Sequence, residues 1–150
     1  MNRTVVVTGA SGGIGRAVAE LFARQGYNVV MGCCHNEAAA RQQSEEWNAE
    51  GLQTAVYRAD VADPLQAQAL VAQAIELFGR LDVLVNNAGI SISGLITALT
   101  AEDWRHLMGV NLDGSFYCAQ AAAKQILKQK NGSIIQISSI WGVTGASCEV

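Results

Sequence analysis

The sequence has 150 residues, of which 50% are hydrophobic and 15% charged, with a formal net charge of -3. This composition is typical of one globular domain, which we place at residues 1–150, and it excludes a disordered chain. Basic residues are scattered, so nucleic acid is not an expected partner. The apolar run that opens the chain breaks at Gly9, too early for a signal peptide or membrane span, and we expect a cytoplasmic protein without membrane contact.

The cysteines and histidines do not form a metal-binding pattern. The four cysteines are Cys33, Cys34, Cys118 and Cys148. Their spacing contains no CxxC pair and no cluster of histidine partners, so zinc and thioredoxin-like sites have little support. We predict free, mostly buried thiols and no metal site. His35 and His106 are each isolated, and each is interpreted as a surface or packing residue.

Short apolar runs alternate with longer helical patterns along the chain. Five strands are predicted, at about residues 4–8, 28–33, 54–58, 82–86 and 133–138. This alternation indicates βαβ units, in which helices cover both faces of a parallel sheet. The sequence therefore predicts an α/β fold.

The helices between these strands carry local start and stop signals. The first is predicted from the apolar stripe Ile14, Val18, Leu21 and Phe22. Gly26, Gly51 and Gly132 are predicted to end three of the helices, because glycine readily adopts the left-handed conformation found there.

Two later helices have clear capping residues. Asp63 precedes Pro64, with Gln66 positioned to complete a capping box, and Gly79 is a predicted stop. Thr100 is predicted to cap a helix that continues or kinks near Asn111.

The strongest chemical signal lies between the first strand and the first helix. The segment is Thr8-Gly9-Ala10-Ser11-Gly12-Gly13-Ile14-Gly15. Glycines permit a tight turn and let the backbone approach a pyrophosphate, whose charge is stabilised by free N–H groups at a helix N-terminus. An ordinary strand-to-helix turn is the alternative explanation for this segment taken alone.

The glycine spacing differs from GxGxxG and matches the TGxxxGIG pattern of the short-chain dehydrogenases/reductases. Further segments resemble that family in order along essentially the whole chain: Asp60-Val61, Asn86-Asn87-Ala88-Gly89, Val110-Asn111-Leu112 and Ser138-Ser139. The chain is identified as a member of the classical type. This resemblance implies a Rossmann-type doubly wound parallel sheet with strand order 3-2-1-4-5.

The resemblance also implies residue roles. Cofactor binding is implied for Thr8, Gly9, Ser11, Gly12, Gly13, Ile14, Gly15, Cys34, His35, Asp60, Val61, Asn87, Ala88 and Gly89. Asn111 matches the asparagine that helps hold a proton-relay water, and Ser139 matches the catalytic serine that hydrogen-bonds the substrate oxygen. Singly, these patterns also fit a turn, a helix kink and a strand end.

The family's catalytic YxxxK pair is not found. The residues four positions after Tyr27, Tyr57 and Tyr117 are Met31, Val61 and Ala121, and none of them is a lysine. In the family the tyrosine follows the serine by about a dozen residues, which from Ser139 falls just past Val150. We therefore expect a chain that is truncated at its C-terminus and inactive alone, from an active parent. It should lack the last strands and helices of the family fold, expose apolar surface and a strand edge, and be marginally stable.

The end of the second strand bears on the choice of cofactor. NAD-preferring members usually carry an Asp there, whose carboxylate binds the ribose 2′-OH. This sequence has Cys34 and His35, so no acid repels a 2′-phosphate and NADP(H) is favoured over NAD(H). The basic residue that often binds that phosphate before the second glycine is missing, since Ser11 occupies its place. His35, Arg16 and Arg58 are the candidates to assist in binding the 2′-phosphate.

The resemblance implies that the parent reduces a ketone to an alcohol. Overall similarity favours bacterial 3-oxoacyl-acyl-carrier-protein reductases, with a small-molecule or carrier-bound carbonyl substrate. The segment from Trp141 to Val150, including Ser147-Cys148-Glu149, looks more like reductases that act on 5-aminopentanone-modified elongation factor P. A non-catalytic dinucleotide-binding sensor is the alternative of another class, because fold alone does not establish catalysis.

The full-length protein is expected to be a homodimer or homotetramer.

Overall fold

A five-stranded parallel sheet in the order β3-β2-β1-β4-β5 forms the centre of the computed structural model, which describes residues 2–145. The strands are β1 (Thr4–Val7), β2 (Asn28–Cys33), β3 (Gln53–Arg58), β4 (Val83–Asn86) and β5 (Ser133–Gln136). The helices are α1 (Gly13–Arg24), α2 (Glu37–Ala49), α3 (Pro64–Phe78), α4 (Ala101–Met108) and α5 (Gly114–Gln129). The predicted α/β class and strand order are confirmed, and each strand begins and ends within two residues of its prediction.

Both faces of the central strands are buried. Successive side chains of a strand point to opposite sides, so each strand contributes to two separate apolar clusters. On one face, Val5 and Val7 of β1 pack in a cluster with α1 and α2. On the other face, Val6 packs with residues of α3 and α5, including Leu70 and Cys118. This double covering explains why the central strands are continuous apolar runs.

The first helix approaches the sheet through small residues. Gly15, Ala19 and Ala23 form its buried face, whereas Ile14 and Leu21 are 63% and 61% exposed. The predicted stripe was therefore wrong at Ile14 and Leu21. The physical reason is distance, since a helix that packs this closely to the strands has room only for small side chains at its contact line.

The start of α3 is capped as predicted, but without a reciprocal capping box. The Asp63 carboxylate accepts hydrogen bonds from the backbone N–H groups of Leu65 (2.8 Å) and Gln66 (3.2 Å). The Gln66 side chain donates to the Asp63 carboxylate and accepts from the N–H of Asp60 instead of reaching the N–H of Asp63. Gly79 ends the helix with φ of 75°, as expected.

The predicted stops at Gly26 and Gly51 are confirmed in that both adopt left-handed φ just after their helices, whereas α5 ends differently. There Lys130 is the left-handed residue, with φ of 55°, and Gly132 lies two residues later. Gly132 is required by crowding, because a Cβ at this position would lie 2.6 Å from Ile126 Cγ1 and 3.0 Å from the Asp82 carbonyl oxygen.

The helix that begins at Thr100 continues through Asn111. Thr100 and Asp103 form a complete capping box at its start. Residues Gly109–Asp113 then form a π-helical segment, and α5 follows without a break. A wider turn of this kind often lies at a functional site.

The fifth strand is an edge strand, and all four of its residues are exposed. Ile134 and Ile135 are 38% and 40% exposed, whereas β4 beside it is fully buried. The expected exposed apolar surface and strand edge are therefore present at β5. Within residues 2–145, no helix combines the length and apolar character needed to cross a bilayer.

The carboxylate of Asp82 joins the start of β4 to β1. It accepts hydrogen bonds from the N–H of Thr4 (2.8 Å) and from two nitrogens of Arg80 (2.6 and 2.8 Å). Burial is the largest single influence and raises the pKa of Asp82. The hydrogen bonds from Arg80 and Thr4, together with the charges of Arg80 and Arg3, outweigh burial and lower the pKa below its ordinary value.

We expect Asp82→Asn to lower the free energy of unfolding by about 2 kcal/mol near neutral pH. This is less than the loss for a fully buried pair, because the Arg80 side chain is 31% exposed. Since the folded-state pKa is lowered, the stabilisation is full above the ordinary Asp pKa of about 4 and is lost as pH falls through the folded-state pKa.

Urea unfolding of wild type and variant near pH 7 and near pH 3 measures this difference. Glu45→Gln is the control, because Glu45 is exposed and forms no ion pair within the described residues. Equal unfolding free energies for wild type and Asp82→Asn near pH 7 would contradict the assignment.

Candidate functional site

A cleft of about 340 Å³ opens where the central strands end. Its lining residues are Gly9, Ser11, Gly32, Cys34, His35, Ala59, Asp60, Val61, Ala88, Gly89, Ile90, His106 and Val110. The cleft lies beside β1, from which the chain order runs outward to β2 and β3 on one side and to β4 and β5 on the other. Open α/β sheets bind ligands at this switch point, outside the carboxyl ends of the strands.

The turn after β1 depends on three glycines. Gly9 and Gly13 have φ of 64° and 53°, in the left-handed region that L side chains rarely adopt. Gly15 is restricted by space, because a Cβ there would overlap the Gly9 carbonyl oxygen and lie 2.5 Å from Asn87 Nδ2. The turn therefore brings backbone, rather than side chains, to the edge of the cleft.

The N-terminus of α1 follows this turn. Its N-cap residue is Gly12, which has no side chain to accept hydrogen bonds from the first turn of the helix. Backbone N–H groups in the first turn of a helix have no intrahelical partners and carry a partial positive charge. This end of α1 can therefore bind an anion such as a phosphate group.

The glycine turn is held to the segment after β4 by Thr8 and Asn87. Thr8 Oγ1 accepts hydrogen bonds from the N–H groups of Asn87 and Ala88, each at 2.9 Å. In return, Asn87 Nδ2 donates to the carbonyl oxygens of Thr8 (2.9 Å) and Gly9 (3.3 Å). These bonds fix Ala88 and Gly89 at the cleft wall opposite the ends of β2 and β3.

Asn86 connects β4 to the helix behind it. Its buried side chain donates from Nδ2 to the Ser115 carbonyl oxygen at 2.9 Å. Within residues 2–145, Asn86 Oδ1 is buried without a hydrogen-bond partner. This residue therefore positions the carboxyl end of β4 rather than lining the cleft.

The ends of β2 and β3 form another wall of the cleft. Asp60 Oδ1 accepts a hydrogen bond from the N–H of Ala62 at 2.9 Å, which fixes the carboxylate in a turn. Burial raises the pKa of Cys34, the charge of Asp60 raises it further, and Arg58 opposes both. Cys34 is therefore a neutral thiol near neutral pH, and no carboxylate stands at the end of β2 itself.

Two other cysteines, Cys33 and Cys118, do not line the cleft. Cys33 and Cys118 are buried, and burial raises the pKa of Cys118 to about 12. The prediction of free thiols is confirmed for Cys33, Cys34 and Cys118. Cys148 lies outside the described residues, as do Ser147 and Glu149.

The structure brings most of the predicted cofactor residues together. Eight of the fourteen line the cleft, namely Gly9, Ser11, Cys34, His35, Asp60, Val61, Ala88 and Gly89. Thr8, Gly15 and Asn87 shape it through hydrogen bonds or close packing, while Gly12, Gly13 and Ile14 form the exposed turn before and into α1.

Part of the cleft wall is formed by residues that carry no sequence motif. His106 was interpreted as a surface or packing residue, and it is exposed, but it also lines the cleft with Val110 and Ile90. No local signal marks these residues, because only the fold places α4 and the π-helical segment beside the ends of the strands.

The two candidate catalytic residues are near the carboxyl edge but do not line the cleft. Asn111 uses both ends of its side-chain amide on Ile90, donating to its carbonyl oxygen and accepting from its N–H, each at 2.8 Å. Ser139 follows β5, and its Oγ accepts a hydrogen bond from the N–H of Trp141 at 3.2 Å. In the described part of the chain, no hydrogen bond joins Ser139 to Asn111.

Solved structures contain this arrangement. A short-chain dehydrogenase/reductase from Burkholderia phymatum in complex with NAD superimposes with a TM-score of 0.94 and 32% sequence identity, and the match covers 98% of this chain and 52% of that one.

Curated proteins are similar over nearly the whole chain. The 3-oxoacyl-[acyl-carrier-protein] reductase FabG of Staphylococcus aureus is 39% identical over 97% of this chain and 59% of its own length. The corresponding reductase of Synechocystis is 39% identical, over 95% and 58%. A diacetyl reductase [(S)-acetoin forming] of Staphylococcus epidermidis is 38% identical, over 95% and 55%. The chain thus spans less than two thirds of these relatives.

The sequence pattern of the short chain dehydrogenase family matches residues 3–150. This match includes every segment that borders the cleft. The chain therefore belongs to the short-chain dehydrogenase family.

Proposed function

We propose that this chain binds NADP(H) in the cleft and is the nucleotide-binding part of an oxidoreductase that reduces a ketone to an alcohol. The observation that carries this proposal is the glycine turn, which places the uncapped N-terminus of α1 beside the cleft. Hydrogen bonds of Thr8 and Asn87 hold the turn in this position. Family membership and the NAD complex of the Burkholderia phymatum protein support a dinucleotide as the ligand.

The residues present fit such a cofactor. The backbone of the turn leaves a cradle that a Cβ at Gly15 would disturb, and the first N–H groups of α1 suit the pyrophosphate charge. The nicotinamide ring supplies the hydride when the cofactor is bound. The protein holds the cofactor and orients the substrate carbonyl, for which Ser139 Oγ–H is the proposed donor.

The absence of a carboxylate at the end of β2 supports NADP(H) over NAD(H). In this position the cleft has the neutral thiol of Cys34 and the imidazole of His35, and Arg58 ends the neighbouring strand β3. A 2′-phosphate therefore meets no fixed negative charge from the end of β2. Cationic or hydrogen-bonding groups from His35 and Arg58 would stabilise it.

Cys34→Asp is expected to reverse this preference. A carboxylate near the 2′-phosphate repels it, since two charges about 4 Å apart interact by roughly 1–4 kcal/mol near a protein surface. The ratio of NADPH to NADH affinity should fall about tenfold or more in fluorescence titrations. Cys34→Asn introduces a side chain of nearly the same shape as Asp but without the charge, and should keep the wild-type ratio of NADPH to NADH affinity. A wild-type protein with a clear preference for NADH would contradict the choice of NADP(H).

Gly15→Ala tests the cradle itself. The added methyl group displaces Asn87 and the Gly9 carbonyl, so the turn can no longer hold the pyrophosphate, and NADPH affinity should fall at least tenfold. Gly94→Ala is the matched control, because Gly94 is not left-handed and a Cβ there meets no atom within 4 Å. Retained NADPH affinity in a folded Gly15→Ala protein would contradict the proposed binding mode.

For the parent protein, we propose a carrier-bound 3-oxoacyl substrate. The names of the Staphylococcus aureus and Synechocystis relatives support this choice. A 5-aminopentanone-modified elongation factor P remains the alternative ketone, on the similarity of residues 141–150. Carbonyl-dependent oxidation of NADPH by the parent protein with each substrate distinguishes the two.

A non-catalytic NADP(H) sensor is the second candidate function. It is favoured by one observation, that no tyrosine within the 150 residues is followed by a lysine at the fourth position. This chain should then bind NADPH without oxidising it when a ketone is added. Steady oxidation of NADPH by the 150-residue chain itself would contradict its proposed inactivity.

We also propose that the full-length protein is a homodimer or homotetramer. Trp104, Leu112 and Phe116 are 52%, 57% and 57% exposed along α4, the π-helical segment and α5, at intervals that are multiples of four residues. Large apolar side chains exposed in a row are typical of an interaction surface.

Leu112→Glu should therefore shift the full-length protein toward monomer in sedimentation velocity, because it places a charge in an apolar contact. Leu65→Glu on α3 is the control, since Leu65 is 75% exposed but lies outside this row. An unchanged oligomer in Leu112→Glu would argue against this surface.

A further inference from the structure

A second cleft lies at the opposite end of the sheet from the proposed NADP(H) cleft. Its volume is about 350 Å³, and it is lined by Arg3, Leu21, Phe22, Gln25 and Tyr27. Arg3 directly precedes β1 and Tyr27 directly precedes β2, so this basal cleft lies at the amino ends of the strands. The four residues of β1, which span roughly 13 Å, separate it from the NADP(H) cleft at the carboxyl ends.

Phe22 and Tyr27 give the basal cleft an aromatic wall. Their rings meet edge to face, with centroids 5.0 Å apart and an interplanar angle of 74°. Both side chains pack against the core cluster beneath α1 and α2. The turn between them is closed by a hydrogen bond of 3.1 Å from the Tyr27 N–H to the Phe22 carbonyl oxygen. The wall is therefore formed before any ligand arrives, which lowers the entropic cost of binding.

The cation of the basal cleft is Arg3. Its Cζ lies over the Tyr27 ring, 4.8 Å from the centroid. This contact restricts the long side chain without using its N–H donors. Within residues 2–145, Arg3 forms no ion pair, and the hydrogen bonds of the nearby Asp82 carboxylate go to Arg80 and Thr4 instead. The planar, five-donor guanidinium of Arg3 is thus available to an anion.

Leu21 and Gln25 complete the lining from the last turn of α1 and its C-cap. Leu21 is 61% exposed although it is apolar, because the buried line of α1 runs through smaller residues. Gln25 is exposed beside it and adds an amide with two N–H donors. The basal cleft therefore combines an anion-binding fork with an apolar and aromatic surface.

We propose that the basal cleft is a binding site for a small aryl carboxylate. Arg3 binds the carboxylate through two parallel N–H···O hydrogen bonds, the geometry that a guanidinium favours, and the Gln25 amide donates to the same group. The ring of the ligand packs on Leu21 and against the aromatic wall, where edge-to-face contacts add to the effect of burial. The site is separate from the NADP(H) cleft and does not depend on the proposed function.

Equilibrium dialysis of the chain with 2-naphthoate tests the site. Acetate carries the carboxylate without the ring, and 2-naphthylmethanol carries the ring without the charge. Each should bind at least tenfold more weakly than 2-naphthoate, because each lacks one of the two contacts, and a hydrogen bond to a charged group alone accounts for a factor of about ten. A wild-type protein that does not bind 2-naphthoate at millimolar concentration, or that binds acetate equally well, would overturn the inference.

Substitutions then locate the binding. Arg3→Ala should lower the affinity for 2-naphthoate about tenfold, and Arg3→Lys, which keeps the charge but not the planar fork, should restore part of it. Leu21→Asn should lower it several-fold without disturbing the fold, since Leu21 is exposed. Arg105→Ala is the matched control, because it removes the same charge from an exposed residue outside the basal cleft. Unchanged affinity in Arg3→Ala would contradict the proposal.

Saturating NADPH should leave the affinity for 2-naphthoate unchanged, because the described residues that line the two clefts are different. Displacement of 2-naphthoate by NADPH would place the carboxylate in the NADP(H) cleft and overturn the inference. A folded protein that binds 2-naphthoate through Arg3 but binds no NADPH would refute the proposed function alone.

Discussion

The candidate site depends on the contact between the glycine turn after β1 and the segment after β4. Asn87 donates to two carbonyl oxygens of the turn, and Thr8 accepts from two backbone N–H groups of the other segment. Gly15 has no space for a side chain at this contact. Because β1 and β4 are neighbouring parallel strands, their carboxyl ends lie side by side. These hydrogen bonds fix the positions of the two segments that follow those ends.

This contact also determines the electrostatics of the cleft. The turn positions the uncapped N-terminus of α1, which carries partial positive charge, beside walls whose side chains are mostly neutral or apolar. Asp60 is the exception, and its carboxylate is held in a turn after β3. A ligand with a central anionic group and flat heterocycles matches this distribution of charge, and a nicotinamide dinucleotide has that form.

Local patterns in the sequence were sufficient for the strands, for the glycine turn and for caps such as Asp63 and Thr100, because these features depend on neighbouring residues. The incorrect predictions concern features that are determined by tertiary packing rather than by neighbouring residues. Ile14 is exposed because the buried line of α1 runs through Gly15 and Ala19, and Lys130 rather than Gly132 takes the left-handed position after α5.

The same limit applies to the site. The family motifs indicated the segments that end β1 to β4, but His106 carries no motif and reaches the cleft only because the fold places α4 there. The Asn111 side chain accepts from the N–H of Ile90 and donates to its carbonyl oxygen, and the expected part of Asn111 in holding a relay water stays a prediction.

The most direct test of that claim is protection of Cys34 from alkylation. Cys34 lines the cleft and is half-buried, whereas Cys33 and Cys118 are buried and provide internal references within the same digest. Peptide mass spectrometry after iodoacetamide treatment at mildly alkaline pH measures the modification of each cysteine separately. The account predicts that saturating NADPH slows alkylation of Cys34 at least several-fold. Alkylation of Cys34 at the same rate with and without NADPH, in folded protein, would contradict it.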